Sequence, residues 1–375
     1  MPLGLIRLLA LIGALVLLHL TVDLAFAAEP SPDCGNPSNV DDQWVIGSPE
    51  QQGFDPAVLC AMGKGVLDGK LANVDSIVIV RHGVLVYEHY FDYRNQVTFD
   101  AAHKHVSNSM TKSLVSLLVG LALDRGLIKD IDTSIFQYFP EYVDLRTPEK
   151  DRITLRNLLT MSSGLYSPST EQMFLHRDHD PYRRALEMPL ASDPGTTFGY
   201  NSLGTELIGA ILQKVSGKSV DVLAHENIFA PLGINDLDWY GHLGNGAPTA
   251  STGLRMSPRD WAKIGQLVLN HGIWQGKQIV PAAWIEQSTT EQLKSQMPRS
   301  RTPYSYGFQW WIGRSPYEGR SVKWIAAIGF KAQKTIIIPE LDTVVVFNAS
   351  FHSDQMPAPE IELLDKYILP ATVKY

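Results

Sequence analysis

Cysteine is scarce in this chain of 375 residues: only Cys34 and Cys60 occur, with no C-x-x-C pair and no histidine beside either. That excludes a zinc ribbon or a dithiol redox centre, both of which need clustered thiols. Positive charge is also short, with 32 Lys and Arg against 39 Asp and Glu and the signs interspersed, so no basic stripe exists to track nucleic acid. Beyond the N-terminus no apolar stretch approaches the roughly 20 residues that a membrane-spanning helix needs. Repeats and low-complexity tracts are absent too, which removes solenoids. The histidine-rich stretch His176-Arg177-Asp178-His179-Asp180 lacks the H-E-x-x-H or H-x-H-x-D-H spacing of a zinc site, so no metal is expected. The substrate class left is a small neutral or mixed-charge molecule.

What is present begins with a leader. Arg7, the apolar run from Leu8 to Leu20 and Ala25-Phe26-Ala27 predict a secretory signal over residues 1–27, cleaved near Ala27/Ala28, with an uncleaved anchor as the alternative. The mature protein is then expected to be periplasmic or secreted. Residues 28–50, rich in Pro, Asp, Asn and Ser, read as an extended segment, and residues 51–375 as one large domain. In an oxidising compartment Cys34 and Cys60 would tie that segment to the first helix; two unpaired thiols are the other reading.

Along the domain, a helical pattern from Pro56 to Leu71 precedes two β-branched runs, Ser76 to Val80 and Val84 to Phe91, separated by a hairpin turn. Helices are predicted from Thr154, over Thr205 to Val215 and over Ser257 to Asn270. Strands are predicted over Phe308 to Ile312, Val322 to Ala327, Lys334 to Ile338 and Thr343 to Asn348, with a last helix over Glu360 to Ile368. Strands at both ends around a helical middle imply an α+β fold: a sheet lobe from 51–100 and 256–375 with a helical lobe, 101–255, inserted.

The chemistry concentrates at Ser109-Met110-Thr111-Lys112, the only S-x-x-K in the chain, at the mouth of an apolar helix that Ser or Asn can cap. Three residues apart, Ser109 and Lys112 share one helix face, so the amine reaches the hydroxyl. Unpaired N–H groups and the positive dipole end of the first turn suit an oxyanion. One segment thus offers a nucleophile, a proton acceptor and an oxyanion donor.

With Ile153-Thr154-Leu155-Arg156-Asn157-Leu158-Leu159-Thr160-Met161-Ser162-Ser163-Gly164-Leu165, Gly253-Leu254-Arg255-Met256-Ser257-Pro258-Arg259-Asp260 and Tyr306-Gly307-Phe308-Gln309-Trp310-Trp311 added, the chain from about Trp44 onward resembles the serine β-lactamase and penicillin-binding-protein superfamily. The likeness is greatest to its class C-like branch of esterases and amide hydrolases. The resemblance implies a β-lactamase/transpeptidase-like fold, an antiparallel sheet flanked by helices. It also places the family's Tyr-x-Asn motif at Tyr200-Asn201-Ser202, where Ser202 replaces the usual Asn. Tyr200 would then shuttle the proton beside Lys112, and Asn201 and Ser202 would face the substrate. The family's K-T-G strand falls on Ala327-Ile328-Gly329-Phe330, with Ala327 in place of the cation. Gly329 would permit close approach, and the N–H of Phe330 would join that of Ser109 as the oxyanion hole.

These expectations define a serine hydrolase of small-molecule esters or linear amides, with an acyl-enzyme on Ser109 and no metal or organic cofactor. A β-lactamase or D-Ala-D-Ala carboxypeptidase is the first alternative, with Lys331 or Lys323 supplying the missing cation. A non-catalytic binding protein on the same scaffold is the second. His103 and His105 read as surface or supporting residues, and Trp310 and Trp311 as packing on opposite faces of a strand.

Overall fold

The runs Ser76–Arg81 and Thr343–Asn348 are buried at every position, which is what central strands covered on both faces require. The computed structural model describes residues 34–71, 74–91, 98–168, 176–295, 304–350 and 359–373; the expected leader over residues 1–27 lies outside them. The main sheet joins β1 (Val45–Ile46), β2 (Ser76–Arg81), β3 (Val84–Tyr90), β9 (Leu293–Lys294), β10 (Ser305–Tyr306), β11 (Trp311–Tyr317), β12 (Arg320–Gly329), β13 (Gln333–Ile338) and β14 (Thr343–Asn348). Its order is β1-β3-β2-β14-β13-β12-β11-β10-β9, so the two ends of the chain meet at the β2–β14 pairing. The β1–β3 pair is parallel and every other pair antiparallel, so the sheet is mixed where a purely antiparallel one was expected. A small sheet combines β4 (His105–Val106), β5 (Asp238–Trp239) and β6 (Leu254–Met256), and β7 (Ile273–Trp274) pairs with β8 (Lys277–Gln278).

Nine helices among the described residues complete the frame: α1 (Pro56–Leu67), α2 (Thr111–Asp124), α3 (Leu155–Leu159), α4 (Pro181–Glu187), α5 (Ser202–Ser216), α6 (Val220–Ala224), α7 (Pro258–Leu269), α8 (Ala282–Ser288) and α9 (Pro359–Leu363). The sheet separates two cores. One holds α2, α5 and α7; the other holds α1 and the C-terminal helix. Helix α2 is buried continuously from Thr111 to Ala122, as befits a helix apolar all round. At Gly120 an added Cβ would lie 2.2 Å from the Trp284 ring of α8, so only glycine admits that packing.

Local chemistry explains where elements begin. Thr154 and Asn157 form a reciprocal capping box for α3, and Ser257 accepts from the Asp260 N–H with Pro258 in the first turn of α7. Helix α5 starts at Ser202, three residues before the expected Thr205, because Asn201 caps it through Gly204 N–H. Helix α1 ends at Leu67, short of Leu71, where the chain turns into left-handed Gly69. The expected strand over Phe308 to Ile312 begins only at Trp311. Gln309, at φ 63°, leaves the sheet: its side chain donates to the Leu158 and Leu159 carbonyls, and its own carbonyl accepts from Ser113.

Cys34 and Cys60 form a disulfide with Cα atoms 4.5 Å apart, joining the N-terminal segment to α1. Buried Arg259 of α7 anchors the same segment, donating to both Glu88 oxygens at 2.7 and 2.6 Å, to the Ser38 carbonyl and to Asp42.

Candidate active site

Ser109 lies in the 3-10 turn Asn108–Met110 that leads directly into α2. Neither Ser107 nor Asn108 caps the helix with its side chain, contrary to expectation, because both are used elsewhere. Ser107 Oγ accepts from Trp261 Nε1 at 2.8 Å, and Asn108 Nδ2 donates to the Phe330 carbonyl at 2.9 Å. Lys112 Nζ donates to Ser109 Oγ at 3.0 Å and to the Ser251 carbonyl at 2.9 Å. The amine is 2% exposed whereas Ser109 is only half-buried, so the nucleophile meets solvent and its partner does not.

Behind Lys112 stands Glu206 of α5, wholly buried. Its two oxygens accept from Ala250 N–H at 2.7 Å and Ser251 N–H at 3.1 Å. Burial pushes its carboxyl above the usual range, against the pull of the Ser251 and Ala250 hydrogen bonds and of the Lys112 charge. The sequence reading missed Glu206. Its signal was an acid inside the apolar run Leu203, Leu207, Ile208, a position too costly to fill without partners.

Tyr200 faces the same amine, with Lys112 Nζ 5.2 Å from its ring centroid. Its ring stacks on Trp311, centroids 5.9 Å apart and planes at 19°. Trp311 in turn meets Tyr306 edge-on at 4.7 Å. Burial, and Tyr200 beside it, push the Tyr306 phenol well up. Trp310 and Trp311 do enter opposite cores, and Trp311 is also the platform that fixes Tyr200.

The β12–β13 turn brings Gly329 and Phe330 against the Ser109 turn. A Cβ at Gly329 would lie 2.3 Å from the Ser107 carbonyl oxygen, so the close approach is real. Lys331 and Ala332 follow in the left-handed region at φ 59° and 57°, a conformation that costs about 1 kcal/mol or more for each side chain. Gln333 holds them there. Its amide donates to the Lys331 and Ala349 carbonyls and accepts from Asn348 Nδ2, whose own oxygen accepts from Ser76 Oγ.

Other expected site residues are placed differently. Asn201 is 2% exposed; it caps α5 and donates to the Leu165 carbonyl, a structural part in place of the substrate contact expected. Ser202 is buried in the first turn of α5. Ala327 is wholly buried and offers only a methyl. Lys323 donates to the Thr289 carbonyl on the far part of β12, while Lys331 is exposed beside Phe330. His105 is 4% exposed, not superficial; burial, His103 and Arg255 push its imidazole down to about 3. His176 Nδ1 lies 2.7 Å from the His242 carbonyl, and Asp178 pairs with Arg184. Among the described residues no group of His, Cys, Asp and Glu is placed to hold a metal.

Comparison with known proteins bears on the fold and the family. The 6-aminohexanoate-dimer hydrolase of Paenarthrobacter ureafaciens is 24% identical over 297 residues, covering 72% of this chain and 71% of that protein. A family VIII carboxylesterase structure superposes with a TM-score of 0.68 at 17% identity, covering 87% of this chain and 98% of that one. An octameric penicillin-binding protein homologue from Pyrococcus abyssi gives 0.65 at 22% identity, over 84% and 77%. The two structural likenesses establish the β-lactamase/transpeptidase-like fold. The Beta-lactamase family profile matches residues 69–366, and on that match the chain belongs to the Beta-lactamase family.

Proposed function

We propose that this protein is a serine hydrolase that cleaves small-molecule esters or linear amides through an acyl-enzyme on Ser109. The observation that carries the reading is the 3.0 Å hydrogen bond from a buried Lys112 to a solvent-facing Ser109. Ser109 Oγ attacks the carbonyl carbon, and its proton passes to the Lys112 and Tyr200 pair, which shares one proton fewer than an ammonium and a phenol would carry together. The carbonyl oxygen gains charge as the tetrahedral adduct forms, and the N–H groups of Ser109 and Phe330 are its donors. The proton returns to the leaving oxygen or nitrogen. Water, deprotonated by Tyr200, attacks the acyl carbon, the bond to Ser109 Oγ breaks, and the same proton returns to Oγ as the acid leaves. A 6-aminohexanoate-dimer hydrolase and a carboxylesterase among the relatives favour linear amides and esters as the substrate class.

The alternative, a β-lactamase or D-Ala-D-Ala carboxypeptidase, meets a specific obstacle at Ala327. Those substrates carry a carboxylate beside the scissile bond, and a charge-assisted hydrogen bond to it is worth roughly 1.5 to 3 kcal/mol. A buried methyl supplies none of that. Short-chain p-nitrophenyl esters are therefore expected to exceed nitrocefin and benzylpenicillin at least about tenfold in kcat/KM, the lower end of that energy. A preference for the β-lactams on the same preparation would overturn the choice.

The disulfide and the leader-like N-terminus support export to the periplasm or medium. Exported protein should begin at or beside Ala28; retention of Met1 would count against cleavage.

A further inference from the structure

Beside the β12–β13 turn lies a cavity of about 310 Å³, lined by His103, His105, Asn108, Arg255, Phe330 and Lys331, among others. Asn108 precedes the nucleophile, and its side chain is bonded to the Phe330 carbonyl, so this cavity shares a wall with the reaction site.

Its charge is unbalanced. Lys104 at the rim is committed to Asp236 at 2.7 Å and Asp238 at 3.3 Å. Arg255 has only a 3.9 Å approach to Asp238 and a bond to the Lys104 carbonyl, and its Nε is buried with no partner. His105 Nε2 is likewise buried and unpartnered, while its Nδ1 is 3.8 Å from Asp75. Among the described residues Lys331 forms no ion pair. Burial and Arg255 push both imidazoles down, the larger effect being burial, with Asp100 opposing at His103. Arg255 and Lys331 are thus the cations of this cavity that no close carboxylate engages among the described residues.

The Arg255 side chain is 41% exposed and its Nη1 has only the 3.9 Å approach to Asp238, so a ligand in the cavity can supply the close acceptor that this guanidinium lacks. A carboxylate fits best: it is planar, anionic and matched to the guanidinium fork. We propose that this cavity binds a carboxylate carried on the acyl chain of the substrate, held between Arg255 and Lys331. The proposal rests on the hydrolase reading above and narrows it to acyl groups bearing a distal anion.

The test compares p-nitrophenyl butyrate with mono-p-nitrophenyl glutarate at low ionic strength, alongside calorimetric titration with free glutarate. Wild-type protein should favour the charged ester by about tenfold or more in kcat/KM, as expected of one charge-assisted bond. Lys331→Glu, at an exposed side chain, and Arg255→Gln should bring the ratio towards one, and Lys331→Arg should keep it. Equal rates for both esters in all four proteins would overturn the proposal. Glutarate binding without an ester preference would overturn the assignment to the acyl chain. If neither ester is turned over and Ser109 resists acylation, the hydrolase reading fails; glutarate binding weakened by Lys331→Glu then still supports the carboxylate site, and no binding rejects it.

Discussion

Glu206 and Lys112 are joined through a single residue: Glu206 accepts from the Ser251 N–H, and the Ser251 carbonyl accepts from Lys112 Nζ. A carboxylate on α5 therefore sets the position of an amine on α2 without touching it. The loop at Ala250 and Ser251 has no regular structure of its own to fix that carbonyl, so the carboxylate does so.

Glu206→Gln keeps the shape and one acceptor but loosens this hold. It should lower kcat by about ten- to a hundredfold, the cost of slight misplacement of a reacting group, with KM changed by no more than about twofold. Steady-state kinetics beside thermal unfolding checks this. A lower Tm with unchanged kcat would make Glu206 structural only.

Lys112→Ala and Tyr200→Phe should each reduce kcat by about 10²-fold or more, the usual loss of a positioned proton-transfer group. Because the proposed mechanism puts both on one proton path, and Lys112 Nζ lies 5.2 Å from the Tyr200 ring centroid, the double variant should be far less impaired than the product of the single losses. Multiplicative losses in the cycle would mean that they act independently.

Arg259 and Glu88 give a stability prediction with a pH signature. Burial alone would raise the Glu88 carboxyl, but hydrogen bonds from Arg259, Ser38 and Tyr90 outweigh it and hold the group below the usual range. A carboxylate lowered in the fold contributes stability above its unfolded pKa of about 4.3 and loses it as pH falls through the folded value. Arg259→Met leaves a buried, unpaired charge and should cost about 3 to 5 kcal/mol near neutral pH. Without Arg259, burial raises the carboxyl, so protonation relieves the variant first. Urea unfolding at pH 7 and pH 4 should show the gap narrowing in acid; a constant gap would contradict the assignment.

Much of this was legible locally. Ser109 and Lys112 announce themselves through helical spacing, and β2, β13 and β14 through β-branched runs whose bounds agree within a residue or two. The mixed sheet was not, because the two-residue strand β1 carries no pattern. Glu206 stood out as an acid in an apolar run, but neither it nor Asn108 could be assigned to the site, because their partners are 44 and 222 positions away. Asn201 was misread for the opposite reason: helix capping and substrate binding favour the same side chain, and only its burial separates them.

The central claim is that Ser109 is the acylated nucleophile, and intact-mass spectrometry after exposure to a fluorophosphonate tests it most directly. Wild-type protein should gain a single adduct mapping to Ser109. Ser109→Ala, with an unchanged circular dichroism spectrum, should gain none; equal labelling of the two proteins would contradict the account.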